Sequence, residues 1–104
     1  MRKKELINKI RLAIHQHDID AEIFLYGSRA RGDNRKNSDW DVLILINETN
    51  ITNKIEDRFR DSLYDIELET GQIISVLIYP KLYWNNKLKH SPLYKNVTHE
   101  GIRL

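Results

Sequence analysis

Residues 40–46, Trp-Asp-Val-Leu-Ile-Leu-Ile, are the densest apolar stretch of the chain. Branched side chains favour a pleated, packed surface, so this run reads as a central β-strand. The residues after it restrict its neighbours. From Asn50 to Glu69 the apolar residues Ile51, Ile55, Phe59, Leu63 and Ile66 recur at helical spacing. Asn50 or Thr52 can cap that helix, and Gly71 suits the left-handed position beyond its end. Ile73 to Tyr79 is a further strand stopped by Pro80. Strand, helix and strand over this distance predict a right-handed crossover with the two strands parallel.

The remaining elements fit around that unit. Leu6, Ile7, Ile10, Ala13 and Ile14 give a helix over Lys3 to His17 with one buried stripe. Ile23-Phe24-Leu25-Tyr26 is a short buried strand closed by Gly27. Asp33 to Ser38 is wholly polar and reads as a loop. A short helical piece near Lys81 to Asn86 follows the last strand, and Ser91-Pro92 starts another helix as N-cap and first residue. Gly101 ends it before Ile102-Arg103-Leu104. The order is α-β-β-α-β-α: an α/β (α+β) fold, with a small mixed sheet of about three strands and flanking helices. The chain is expected to form a single domain over residues 1–104 and to bury about two thirds of its surface.

The absence of cysteine excludes a disulfide scaffold, a thiolate zinc site and a cysteine nucleophile. Apolar runs are only a few residues long, so no membrane span is expected, and the charged start predicts a soluble, cytoplasmic chain. Net charge is only +2, so a nucleic-acid partner is not expected. The basic residues fall in two clusters, Arg2-Lys3-Lys4 and Arg29, Arg31, Arg35, Lys36.

The chemistry lies in Gly27-Ser28-Arg29-Ala30-Arg31-Gly32 and Ser38-Asp39-Trp40-Asp41. Gly27 and Gly32 have P-loop spacing, but Asp33-Asn34 stands where the P-loop requires Lys-Ser/Thr, which rejects an ATPase P-loop. A strand that ends in Gly-Ser and turns into a helix can still take an anion. Glycine admits close approach, serine adds a hydroxyl, and the turn presents free N–H groups. Asp39 and Asp41, two apart at the head of a strand, project from one face, with Trp40 and Val42 on the other. Two adjacent carboxylates repel unless a cation such as Mg²⁺ lies between them and phosphate.

The run GSRARGDNRKNSDWDVLIL resembles the signature of the DNA polymerase β-like nucleotidyltransferase superfamily. It is most similar to the minimal nucleotidyltransferases, which include MntA-type antitoxins. The motif spans Gly27 to Leu45. The resemblance implies that Gly27 and Ser28 hold the β- and γ-phosphates of a nucleoside triphosphate, with ATP the expected substrate. It implies that Asp39 and Asp41 are the catalytic carboxylates and bind two Mg²⁺ ions. An acceptor hydroxyl would attack the α-phosphorus and release pyrophosphate. Arg29 or Arg31 would neutralise developing charge, and residues i and i+2 of a helix cannot both face the site. The resemblance also implies a toxin–antitoxin role, with a helical HEPN-type protein as partner and acceptor. A heteromer of that kind or a homo-oligomer is expected.

One position departs from the family pattern. The third carboxylate of the family falls on the next strand, where Ser75 stands. Serine is no comparable anionic ligand, so a catalytically silent antitoxin acting by contact is the alternative. Glu69, or else Glu67, at the end of the preceding helix could replace the missing carboxylate. His15 and His17 do not share a helical face and are poor metal partners. Tyr79, Tyr83, Trp84 and Tyr94 are expected either to pack the tail onto the sheet or to form a partner surface.

Overall fold

A computed structural model describes residues 2–104. Nine elements follow one another: α1 (Lys3–His17), β1 (Glu22–Tyr26), α2 (Ser28–Arg31), β2 (Trp40–Ile46), α3 (Asn53–Thr70), β3 (Ile74–Pro80), α4 (Lys81–Asn86), α5 (Pro92–Glu100) and β4 (Ile102–Arg103). The sheet order is β3-β2-β1-β4. β2 runs parallel to β3 and antiparallel to β1, and β4 pairs antiparallel with β1.

Every residue of β2 is buried except Asp41. Such a strand needs cover on both faces. On one face Trp40, Val42, Ile44 and Ile46 pack with Leu6, Ile10 and Ile14 of α1 and Phe59, Leu63 and Ile66 of α3. On the other, Leu43 and Leu45 pack with Trp84 of α4 and Val97 of α5. Tyr79, Tyr83, Trp84 and Tyr94 chain together over that face, with Trp84 and Tyr94 centroids 5.2 Å apart. The tail aromatics are therefore packing residues, although Tyr83 keeps an exposed edge.

Local signals set the ends of α3. The Thr52 side chain accepts from the Ile55 N–H, and Gly71, at φ 72°, gives its N–H to the Glu67 carbonyl. The small mixed sheet carries one strand beyond the three read from the sequence. Ile102 and Arg103 pair with Leu25 and Phe24, and the Leu104 N–H reaches the Ile23 carbonyl. No helix among the described residues is long and apolar enough to cross a membrane.

Candidate active site

Because β1 is antiparallel to β2 and β3 is parallel to it, the end of β1 and the starts of β2 and β3 meet at one edge. Tyr26 stands opposite Asp41 on one side, and Ser75 stands opposite it on the other. Gly27 turns the chain there with φ 74° and ψ −158°, backbone that side chains other than hydrogen resist. A Cβ on Gly27 would run into Asp41 Oδ2. The glycine thus lets the turn lie against the carboxylate. Its carbonyl accepts the Ala30 and Arg31 N–H groups at 3.0 Å each, which closes α2 as a single turn. Ser28 is the first residue of that turn, and its amide and that of Arg29 stay outside the turn's own hydrogen bonding.

Asp39 and Asp41 lie on the face away from Trp40, as the strand periodicity requires. Partial burial pushes the Asp41 carboxyl above its usual range, the Asp39 charge adds to this, and Arg31 opposes it. The Tyr26 phenol is pushed up to about 12, by burial first, then by Asp41 and Tyr79. Ser75 Oγ donates to Asp39 Oδ2 at 3.1 Å. Serine therefore stands in the site itself, across the register from Asp41.

The two arginines of α2 part company. Arg31 Nη1 donates to Glu100 Oε1 and Oε2 at 3.0 and 3.2 Å, and its Nε donates to Asp33 at 3.1 Å. Both carboxylates hold its guanidinium above its ordinary range. Arg29 points to the other side. It lies 4.4 Å over the Trp40 ring and donates to the carbonyls of Ser38 (3.0 and 3.2 Å) and Lys36 (3.1 Å). Arg29 braces the 33–38 loop, and Arg31 is the arginine beside the aspartates.

The compensation expected from Glu69 or Glu67 does not occur. Glu69 pairs with Lys9 of α1 at 2.7 Å, and Glu67 accepts the Ile74 N–H at 2.9 Å. Both belong to α3, which covers the sheet face opposite Asp41. The carboxylate that does arrive is Glu100, whose Oε1 also accepts the Gly27 N–H at 3.3 Å. No local signal announced it: only the pairing of Ile102-Arg103 with β1 carries the end of α5 to Gly27. His15 bonds the Ala21 carbonyl, and His17 bonds Ser62 and edges onto Phe59. Neither histidine is near the aspartates in any contact.

Among the described residues no three or more His, Cys, Asp or Glu side chains are grouped to hold a metal. The aspartate pair nevertheless fits Mg²⁺, which needs only one or two protein carboxylates when a phosphate supplies further oxygens. Burial first, and then the Asp39 charge, raise the Asp41 carboxyl, and a cation would offset the second of these.

Fold and site together define a domain that presents paired carboxylates beside a Gly-Ser turn. The sequence profile of nucleotidyltransferase domains matches residues 7–104, and the chain belongs to that family. A solved structure described as "Crystal structure of the toxin-antitoxin with AMP-PNP" shares the fold: TM-score 0.64, 17% identity, 98% of this chain and 72% of that one. No protein of curated function matches the chain significantly.

Proposed function

We propose that the chain transfers AMP from ATP to a hydroxyl of a partner protein, in a toxin–antitoxin pair with a HEPN-type partner. The observation that carries this reading is the aspartate pair, held on one face against a turn whose glycine leaves room for it. Family membership supports the reaction type, and the toxin–antitoxin neighbour holding a nucleotide analogue supports the setting. Asp39 and Asp41 would hold Mg²⁺, which supplies charge neutralisation of the triphosphate and acidifies an acceptor hydroxyl. Gly27 and Ser28 border the phosphates, and Arg31 is placed to meet their negative charge. The acceptor hydroxyl releases its proton to water as its oxygen bonds to the α-phosphorus, the α–β bridging bond breaks, and pyrophosphate leaves. Calorimetry tests the site: ATP should bind with Mg²⁺ and lose that binding in Asp39→Asn/Asp41→Asn. Equal binding by that variant refutes the assignment.

One observation favours a second reading, a silent antitoxin that acts by contact. Ser75, at the strand position where the family resemblance expects a third carboxylate, is spent on a hydrogen bond to Asp39. If the parent is inactive towards its partner and Ser75→Asp gains transfer, the contact reading holds.

A further inference from the structure

The two basic clusters of the sequence meet in space. Lys3 Nζ, at the start of α1, donates to the Arg29 carbonyl at 3.1 Å. Lys3, Arg29 and Lys36 then line a cavity of about 270 Å³ with Asn34, Trp40 and Gln72. Among the described residues none of these three cations pairs with a carboxylate, whereas Lys9, Arg31, Arg60, Lys81 and Arg103 each do. The walls are fixed. Arg29 is pinned by the Ser38 and Lys36 carbonyls, and the Trp40 indole N–H is held by Gln72 at 3.0 Å. Trp40 is the residue between Asp39 and Asp41, so cavity and candidate active site back onto the same strand start.

We propose that this cavity docks an acidic segment of the acceptor protein. Its carboxylates would meet Lys3, Arg29 and Lys36, while a hydroxyl-bearing residue of the same segment reaches the Asp39–Asp41 edge. The hydroxyl's role and the partner's being an acceptor rest on the transferase reading; the docking of an acidic segment does not. Charge distribution favours a short acidic segment over a polynucleotide. Lys3, Arg29 and Lys36 converge on one small cavity, which suits a few carboxylates. Asp33, Asp39, Asp41 and Glu100 stand at the neighbouring edge, where a continuous phosphate backbone would be repelled. A peptide can end its negative charge at the cavity.

The test measures fluorescence anisotropy at low salt, without Mg²⁺ or nucleotide, so that it stands apart from catalysis. The probes are a labelled tyrosine peptide flanked by glutamates and its glutamine twin. The glutamate peptide should bind at least about tenfold tighter, and molar salt, where the Debye length falls to about 3 Å, should remove the preference. Lys3→Gln/Lys36→Gln should also remove it. Both side chains are exposed, so the variant should keep the parent's melting curve and its Mg-ATP binding. No glutamate preference, or one that survives in the double variant, overturns the proposal. A single-stranded RNA oligomer that binds tighter than the glutamate peptide overturns it in favour of a phosphate-backbone surface. Loss of Mg-ATP binding in the double variant would assign the cavity to the nucleotide instead.

Discussion

Replacing Gly27 by alanine tests the site through its backbone. Two costs should combine. At φ 74° and ψ −158° a side chain occupies nearly glycine-only space, at about 1–3 kcal/mol. The new Cβ would also collide with Asp41 Oδ2 and sit 3.3 Å from its Cγ; overpacking of this kind costs about 1–3 kcal/mol. The expected loss is therefore about 2–6 kcal/mol, which in a domain of this size lowers Tm by roughly 10–40 °C. Gly32 is the internal control. It too has positive φ, at 86°, but a Cβ there meets nothing within 4 Å. Gly32→Ala should cost about 1–2 kcal/mol, the backbone share alone. Urea unfolding of Gly27→Ala, Asp41→Ala and the double variant closes a cycle that isolates the contact. The coupling should be about 1–3 kcal/mol, with Asp41→Ala partly rescuing Gly27→Ala. If Gly27→Ala is no worse than Gly32→Ala, or the coupling is below about 0.5 kcal/mol, the packing of turn against carboxylate is wrong.

Asp41→Asn should raise metal-free stability at pH 7. A carboxyl whose pKa is raised by folding favours the native state only while protonated, and that contribution is lost as pH rises through its folded pKa. The gain should be small, should appear as a higher melting temperature in chelator, and should vanish at acid pH. Arg29→Ala should cost about 2–3 kcal/mol in urea unfolding, because it releases the Ser38 and Lys36 carbonyls and uncovers Trp40. Arg31→Ala should leave the urea midpoint nearly unchanged and weaken Mg-ATP binding instead. Alkaline titration followed by tyrosine absorbance should show one phenol ionising near pH 12, absent in Tyr26→Phe. Its sign is the same: stability fades as pH climbs from the ordinary phenol range towards 12.

The legible part of the fold was local. The β2 run, the α3 stripe, the Thr52 cap and Gly71 are each signalled by residues near them in the chain, and all stand where expected. β4 carried no such signal. Ile102 and Arg103 are both exposed and too few to alternate, and only pairing with Phe24 and Leu25 makes them a strand. Missing that strand meant missing Glu100. Periodicity also placed Glu67 and Glu69 at the correct end of the sheet but could not tell which face α3 would cover. Packing against α1 took both away from Asp41. The two arginines divided as helical spacing requires, but which one faced the aspartates depended on Trp40 and Glu100, distant in sequence or on the opposite face.

Ser75 brings the energetics and the chemistry of the site together. It faces Asp41 across the parallel register and donates a hydrogen bond from its hydroxyl to Asp39. A carboxylate in its place would set a third negative charge beside two that already disfavour each other, and would remove the donor that Asp39 now uses. Without a cation such a site would be less stable than this one. With a cation it would bind more strongly, because each added carboxylate contributes both charge and a ligand oxygen. Serine shifts that balance towards the metal-free protein. The site then consists of an aspartate pair flanked by Arg31, itself held by Asp33 and Glu100. In that arrangement the metal-free site is stabilised by hydrogen bonds and ion pairs within the chain. On the transferase reading a triphosphate would have to bring much of the oxygen that Mg²⁺ requires. Metal affinity should accordingly be weak alone and strong only with nucleotide, which ties the two ligands into one binding event.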